Sequence, residues 1–229
     1  MLTSVASTSL REAVLQQLRA EIVSGRVAGG TIYSVPGVAN AMGVSTTPVR
    51  EALLELSRAG LVTPLRNRGF LVEAPTLESL ENLFTVRVIL ERFALETIAR
   101  NKLVDPAPLS SLADAVAEAV RREDVNAYIE ADRRFHDALV ARAGNPRLTR
   151  LVMSQRDDMR LYGIDSPEGR ARQVASVGEH YEMLELAAAG RVREIGELIE
   201  HHIMEWLPVF TAALGAEHAL NIHPRTDAL

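Results

Sequence analysis

The 229-residue chain contains no cysteine, which excludes disulfides and thiolate metal sites and fits a reducing cytoplasm. It has no apolar run approaching the roughly 18 residues needed to span a bilayer. The opening segment MLTSVASTSLREAV lacks a basic stretch followed by an apolar one, so no signal peptide is expected. Internal repeats and low-complexity tracts are also missing. These absences exclude membrane and disulfide-framework classes and leave an expected cytoplasmic globular protein.

Positive charge is scarce overall, with a net of −5, yet it is unevenly spread. Residues 1–75 carry seven arginines against five glutamates, a net of +2, whereas the rest holds 18 basic against 25 acidic side chains. Only the N-terminal part is electrostatically compatible with a phosphate backbone. Hydrophobic residues make up 47%, ample for two modest cores.

Leu10, Val14, Leu18 and Ile22 recur at four-residue steps, predicting a first helix that stops at Gly25. AGGTIYSVPG reads as a turn-rich connection. Ser34 is positioned to cap a short second helix with Pro36 in its first turn and an end near Met42-Gly43. A third helix is expected from Thr46 to Ala59, capped by Ser45 or Thr47, with Val49, Ala52, Leu53 and Leu56 inward. Two β-rich runs, Leu61–Thr63 and Gly69–Val72, flank a basic tip containing Arg66 and Arg68 and predict a hairpin.

Three helices and a hairpin match a winged helix-turn-helix. The third helix presents Thr46, Thr47 and Arg50 opposite its apolar stripe. Threonine hydroxyls and helix N-terminal amides suit phosphate oxygens, and an arginine fork suits guanine O6 and N7. Arg66 and Arg68 are placed to reach phosphates or a minor groove. A small helical domain with surface arginines that binds protein, or binds nothing, is the competing reading.

At GVSTTPVREALLELSRAGLV and RNRGFLVEAP the chain resembles the winged helix-turn-helix of GntR-type bacterial regulators. The resemblance implies that Ser45, Thr46, Thr47 and Arg50 contact DNA, with Arg66, Arg68 and Gly69 on the wing. Many such regulators carry Arg where this chain has Thr46, and a charge near Pro36. These departures imply weaker non-specific binding or an altered operator.

Beyond Ala74-Pro75 the strand signal ends, and six helices are predicted near 77–103, 107–122, 124–143, 146–162, 168–189 and 191–214. Short connections imply an antiparallel bundle. The expected fold is mainly α: a winged helix-turn-helix in residues 1–75 and a helical effector-binding and dimerisation domain in 76–229.

Asp132 and His136 stand four residues apart on a core-facing stripe with Val125, Ile129, Leu139 and Ala143. His180 shares a stripe with Val177, Met183, Leu184 and Ala187. Of the adjacent pair, His202 lies with Ile195, Leu198, Trp206 and Val209, whereas His201 lies with Glu197 and Glu205. Asp132, His136, His180 and His202 therefore point inward. They read either as satisfied core residues or as a divalent-metal site of the kind that holds Zn²⁺, Ni²⁺, Mn²⁺ or Fe²⁺.

The segments DRRFH, EHYEML and the His-Ile after AAAGRVRE resemble the effector domain of the FadR branch of that family. The resemblance implies a metal, Zn²⁺ before the others, held by those four residues. Six helices point to its VanR-like subgroup. Arg87, on the stripe of Leu80, Leu83, Leu90 and Ala94, reads either as an ion pair with Glu91, as a snorkelling side chain, or as the partner of an anionic ligand. Arg156, Arg160 and Tyr162 line a pocket or form a solvated face. The expected function is a homodimeric repressor on an inverted-repeat operator, released by a small organic acid bound at the metal and Arg87. A metal-dependent hydrolase and a DNA-binding protein with a purely structural metal are the alternatives.

Overall fold

The computed structural model describes the backbone of residues 4–24, 26–74, 76–159 and 163–221, and the side chains within that set from 10 to 215. The chain forms two compact units, Met1–Thr76 and Leu77–Leu229. Ten helices and three strands occur among the described residues.

In the first unit, α1 (Ser4–Val23) buries Val14, Leu15, Leu18 and Ile22, while Leu10 is left outside the core. The expected stop at Gly25 lies outside the described residues. Ser34 caps α2 (Val35–Met42) by accepting the Gly37 N–H, and Gly43 closes it at φ 65°, a left-handed value that suits glycine. This tight reversal leads into α3 (Thr46–Arg58), whose Val49, Ala52, Leu53 and Leu56 are wholly buried. Each contributes roughly 1.5–3 kcal/mol as an upper bound if aliphatic and large. Ser45 occupies the N-cap in an extended conformation without a side-chain capping bond. Arg11 reaches Glu55 at 3.3 Å and ties α1 to α3.

The hairpin of β2 (Val62–Leu65) and β3 (Gly69–Val72) is antiparallel, with Val62 opposite Val72 and Leu65 opposite Gly69. The first run was expected to stop at Thr63. It continues through Pro64 because β2 is an edge strand, where a missing N–H costs no ladder bond. A further strand, β1 (Ile32–Tyr33), pairs with β3 inside the segment expected to be only a turn. Gly69 has φ 119°, and a Cβ there would stand 2.1 Å from the Tyr33 carbonyl oxygen. The close approach of β1 thus requires glycine at this position.

The second unit contains α4 (Leu77–Asn101), α5 (Pro106–Arg121), α6 (Val125–Ala141), α7 (Pro146–Asp158), α8 (Pro167–Ala189), α9 (Val192–Met204) and α10 (Leu207–Asn221). Asp105, Asp124, Asn145 and Ser166 each cap the following helix through their side chains, and Pro106, Pro146 and Pro167 take first positions where no N–H is needed. Helix α4 packs against α6, α7, α8, α9 and α10. Phe84, Leu95, Ile98, Val116, Phe135, Leu139, Ile199 and Phe210 fill the core. Gly196 lets α9 approach α4 closely, since a Cβ would meet Glu96 at 2.5 Å.

Seven helices stand where six were expected. The segment 191–214 breaks at Glu205-Trp206, and Pro208, two residues on, has no N–H to continue the ladder. The helix count therefore does not carry the six-helix subgroup assignment. Helix α7 ends at Asp158 rather than 162, with Met159 extended. Among the described residues no helix is long and apolar enough to cross a membrane.

Candidate metal centre and DNA interface

Three helices converge on one point. Helix α6 supplies Asp132 and His136, one turn apart, α8 supplies His180, and α9 supplies His202 in its last turn. One ligand atom from each lies within 4.8 Å of all the others. The Nε2 atoms of His136 and His180 are 3.3 Å apart, and Asp132 Oδ1 lies 3.3 Å from the second and 3.6 Å from the first. The three imidazole centroids are mutually 5.1 Å apart. In a tetrahedral shell with bonds of about 2.0–2.1 Å, ligand atoms stand roughly 3.3–3.4 Å apart. The spacing among Asp132, His136 and His180 is close to that figure.

Burial and nearby charge set the protonation of three of the four donors. Burial, assisted by the nearby Arg156 charge, pushes the His136 imidazole down to about 4. Burial also lowers His202 well below the ordinary histidine range. For Asp132 burial opposes ionisation, but Arg156 and His136 outweigh it and hold the carboxyl well below its usual range. Neutral imidazoles beside an ionised carboxylate are the protonation state that metal ligation demands.

Supporting groups orient the donors. His202 Nδ1 stands 2.6 Å from Glu179 Oε2, where an Nδ1–H donates to the carboxylate and leaves Nε2 for the cluster. Arg172 donates to Glu179 and, at 3.1 Å, to the His202 carbonyl. Asp132 divides its oxygens: Oδ1 faces the histidines, while Oδ2 accepts from Arg156 at 2.6 Å. Arg156 also donates to Glu91 Oε2 at 2.8 Å, and Arg87 Nε donates to Glu91 Oε1 at 2.9 Å. Arg156 and Arg87 overcome the burial cost and hold the Glu91 carboxyl at about 2. Phe135 walls the cluster, its ring 4.5 Å from that of His180.

The chemistry of this donor set fits a divalent ion. Two Nε2 atoms at 3.3 Å share at most one proton between them, whereas a metal accepts both lone pairs. The Nδ1 atoms of His136 and His180 are buried without a hydrogen-bond partner among the described residues, so neither ring is a fully satisfied core histidine.

Arg87 is buried and engaged with Glu91 and with Met159 Sδ at 3.1 Å, the ion-pair arrangement among its three readings. Arg160 and Tyr162 lie outside the described residues. His201 is exposed, 3.8 Å from both Glu179 and Glu205. Arg172 and Glu179 were not singled out from sequence. Arg172 precedes His180 by eight residues, on the same helical face, so the period that located His180 extends to it. In the first unit, Ser45, Thr46, Thr47 and Arg50 are exposed along the start of α3, and Arg66 and Arg68 are exposed at the hairpin tip beside half-buried Gly69.

Residues 10–72 match the model of bacterial regulatory proteins of the gntR family, and residues 82–205 match the FCD domain. The chain belongs to the GntR family. This GntR-family protein is a DNA-binding transcription regulator, and the family consists of regulators rather than enzymes. It is similar to the HTH-type transcriptional regulator BphR of Paraburkholderia xenovorans, 31% identical over 85% of this chain and 82% of that one. It is also similar to the gluconate operon transcriptional repressor of Bacillus subtilis, 32% identical, across 60% of this chain but only 56% of that repressor's length. Among solved structures, a GntR-type regulator from Rhodococcus sp. RHA1 aligns with TM-score 0.69 at 25% identity, covering 90% of this chain and 99% of that one. McbR/YncC of E. coli shares the fold, with TM-score 0.74 at 21% identity over 91% and 98% of the two chains.

Proposed function

We propose that this regulator is a cytoplasmic homodimeric repressor whose FCD domain holds one divalent metal ion at Asp132, His136, His180 and His202, Zn²⁺ before Ni²⁺, Mn²⁺ or Fe²⁺. The reading rests chiefly on the convergence of those four donors within 4.8 Å. A bound ion supplies a Lewis-acid position for an anionic oxygen. Glu179 orients His202, and Arg156 restrains the second oxygen of Asp132. On DNA, Thr46, Thr47 and the α3 amides hold phosphates while Arg50 reads a base and Arg66 and Arg68 follow the backbone from the wing. Two copies select an inverted repeat.

A small organic acid releases the operator by binding one arrangement of the dimer more tightly than the other, and that difference caps its effect. Because a similar protein is named a gluconate operon repressor, sugar acids are among the acids to test. Elemental analysis should find about one metal per chain, lost in His202→Ala and kept in His201→Ala. Equal loss in both variants refutes the ligand set. One observation favours a second reading, a structural metal without effector: the guanidiniums of Arg87 and Arg156 are already engaged by Glu91 and Asp132. Thermal shift with sugar acids, hydroxy acids and dicarboxylates separates the two. In the first reading the active acid raises Tm and weakens operator binding together, and Arg87→Ala removes both responses.

A further inference from the structure

The four donors form one layer across the bundle, and the layers on its two sides differ in chemistry. Tyr128 with Ser176, and Asp132 with His180, are both pairs 48 residues apart, so α6 and α8 run parallel in constant register. One turn toward their starts the layer is polar, made of Tyr128, Ser176 and Arg172 and bordered by Trp206, one turn beyond His202. One turn the other way lie Leu139, Met183, Leu184 and Ile199, at most 2% exposed, which seal that side with hydrocarbon. Arg172 keeps 7% and Trp206 6% exposure, so the polar layer reaches the surface.

Two bonding positions in the polar layer are unused. Ser176 Oγ gives its one proton to the Gln173 carbonyl, at 2.7 Å. Tyr128 is therefore the donor in its 3.1 Å bond to Ser176, and among the described residues nothing donates to the phenol oxygen in return. Arg172 directs Nη2 to Glu179 and to the His202 carbonyl, while its buried Nε–H has no hydrogen-bond partner among the described residues. Both side chains border the Trp206 ring, with Arg172 Cζ 5.8 Å and the Tyr128 ring 6.4 Å from its centroid. The network toward α4 is closed by comparison: Arg87 and Arg156 each donate to one oxygen of Glu91, and Arg156 also donates to Asp132. A buried N–H left without an acceptor is costly, so the open position on Arg172 points to a ligand atom.

We propose that this layer is the subsite for an α-hydroxy acid, whose carboxylate accepts from Arg172 Nε and whose hydroxyl donates to Tyr128. A spare donor on a guanidinium calls for an anionic oxygen, and a spare phenol lone pair calls for an O–H. An α-hydroxy acid carries both on adjacent carbons, whereas a simple carboxylate satisfies Arg172 alone. The inference deepens the effector reading above, rests on it, and narrows the organic acid to one class.

The test is calorimetric titration of full-length protein loaded with Zn²⁺, using acids that differ only in the hydroxyl: lactate against propionate, malate against succinate, and gluconate against its α-deoxy analogue. Wild type should bind the hydroxy acid of at least one pair more tightly than its partner, on the order of tenfold. Tyr128→Phe should erase that preference and leave binding of the deoxy acid unchanged. Arg172→Lys keeps a charge beside Glu179 but loses the Nε–H, and should weaken both members of the pair on the order of tenfold. Elemental analysis should find wild-type Zn²⁺ content in both variants; if Arg172→Lys loses the metal, the Tyr128→Phe comparison decides alone. A wild type without the hydroxyl preference, or a preference that survives in Tyr128→Phe, overturns this subsite and leaves the effector reading standing. Acid binding lost in Arg87→Ala but intact in metal-loaded Arg172→Lys does the same. Zn²⁺-loaded wild type that binds none of these acids at millimolar concentration overturns both.

Discussion

Glu91 is the residue whose removal the FCD core should tolerate least. Its carboxylate is fully buried and bridges Arg87 at 2.9 Å and Arg156 at 2.8 Å. Glu91→Gln keeps the shape but removes the charge, leaving two buried guanidiniums with only Asp132 to offset Arg156. Breaking a buried pair in this way costs about 3–5 kcal/mol. Titration leads to a similar figure. The carboxyl sits at about 2 rather than the ordinary value near 4.5, a gap worth about 3 kcal/mol. Because the folded value is depressed, this stability is fully present above pH 4.5 and is lost as pH falls toward 2. Asp132 is also depressed and loses its contribution in the acid range too, so the difference between wild type and variant isolates Glu91. Urea unfolding of metal-free protein should therefore show the variant less stable by about 3 kcal/mol at pH 7, with the gap closing as pH falls from 4.5. A loss below about 1 kcal/mol at pH 7, or a gap that does not narrow in acid, would refute the argument that the two arginines depend on this carboxylate.

Arg50→Ala should weaken operator binding by about 1–3 kcal/mol and relax preference at one base pair, read by gel shift across operator variants. Glu179→Gln should lower metal affinity about 10–100-fold in a chelator competition, because His202 loses the carboxylate that fixes its tautomer. Metal-free protein should lose stability as pH falls from about 6.5 toward 4, since His136 is neutral when folded and takes up a proton more readily when unfolded; bound Zn²⁺ should move that loss to lower pH. Gly69→Ala should cost roughly 1–3 kcal/mol in the melting of the first unit, from its positive φ and the Tyr33 carbonyl.

Periodicity made the helical parts readable. Val49, Ala52, Leu53 and Leu56 mark one face of α3 by spacing alone, and the same rule separates buried His202 from exposed His201 although they are neighbours. Local chemistry located the ends, as with the Ser34 cap and the left-handed Gly43. What escaped is set by tertiary partners. Ile32-Tyr33 is too short to show an alternating pattern and becomes a strand only because β3 offers it an edge. Pro64 argues locally against a strand, and only its edge position makes it harmless. The break at Glu205-Trp206 lies within an unbroken apolar pattern, so its period did not reveal it. Arg172 and Glu179 gain meaning from His202, thirty and twenty-three residues away, and no local rule links them.

The meeting of α6, α8 and α9 at one point has a mechanical side. His136 and His180 are 44 residues apart in the chain, and His202 follows 22 residues later, yet their rings touch. An ion bound there acts as a removable rivet through three sequence-distant segments. Its binding energy adds to folding as RT ln(1 + [M]/Kd), so a hundredfold excess over Kd is worth about 2.7 kcal/mol. A cell short of the metal would then hold not only a regulator with altered ligand affinity but fewer copies of it, as the loosened chains go to proteases.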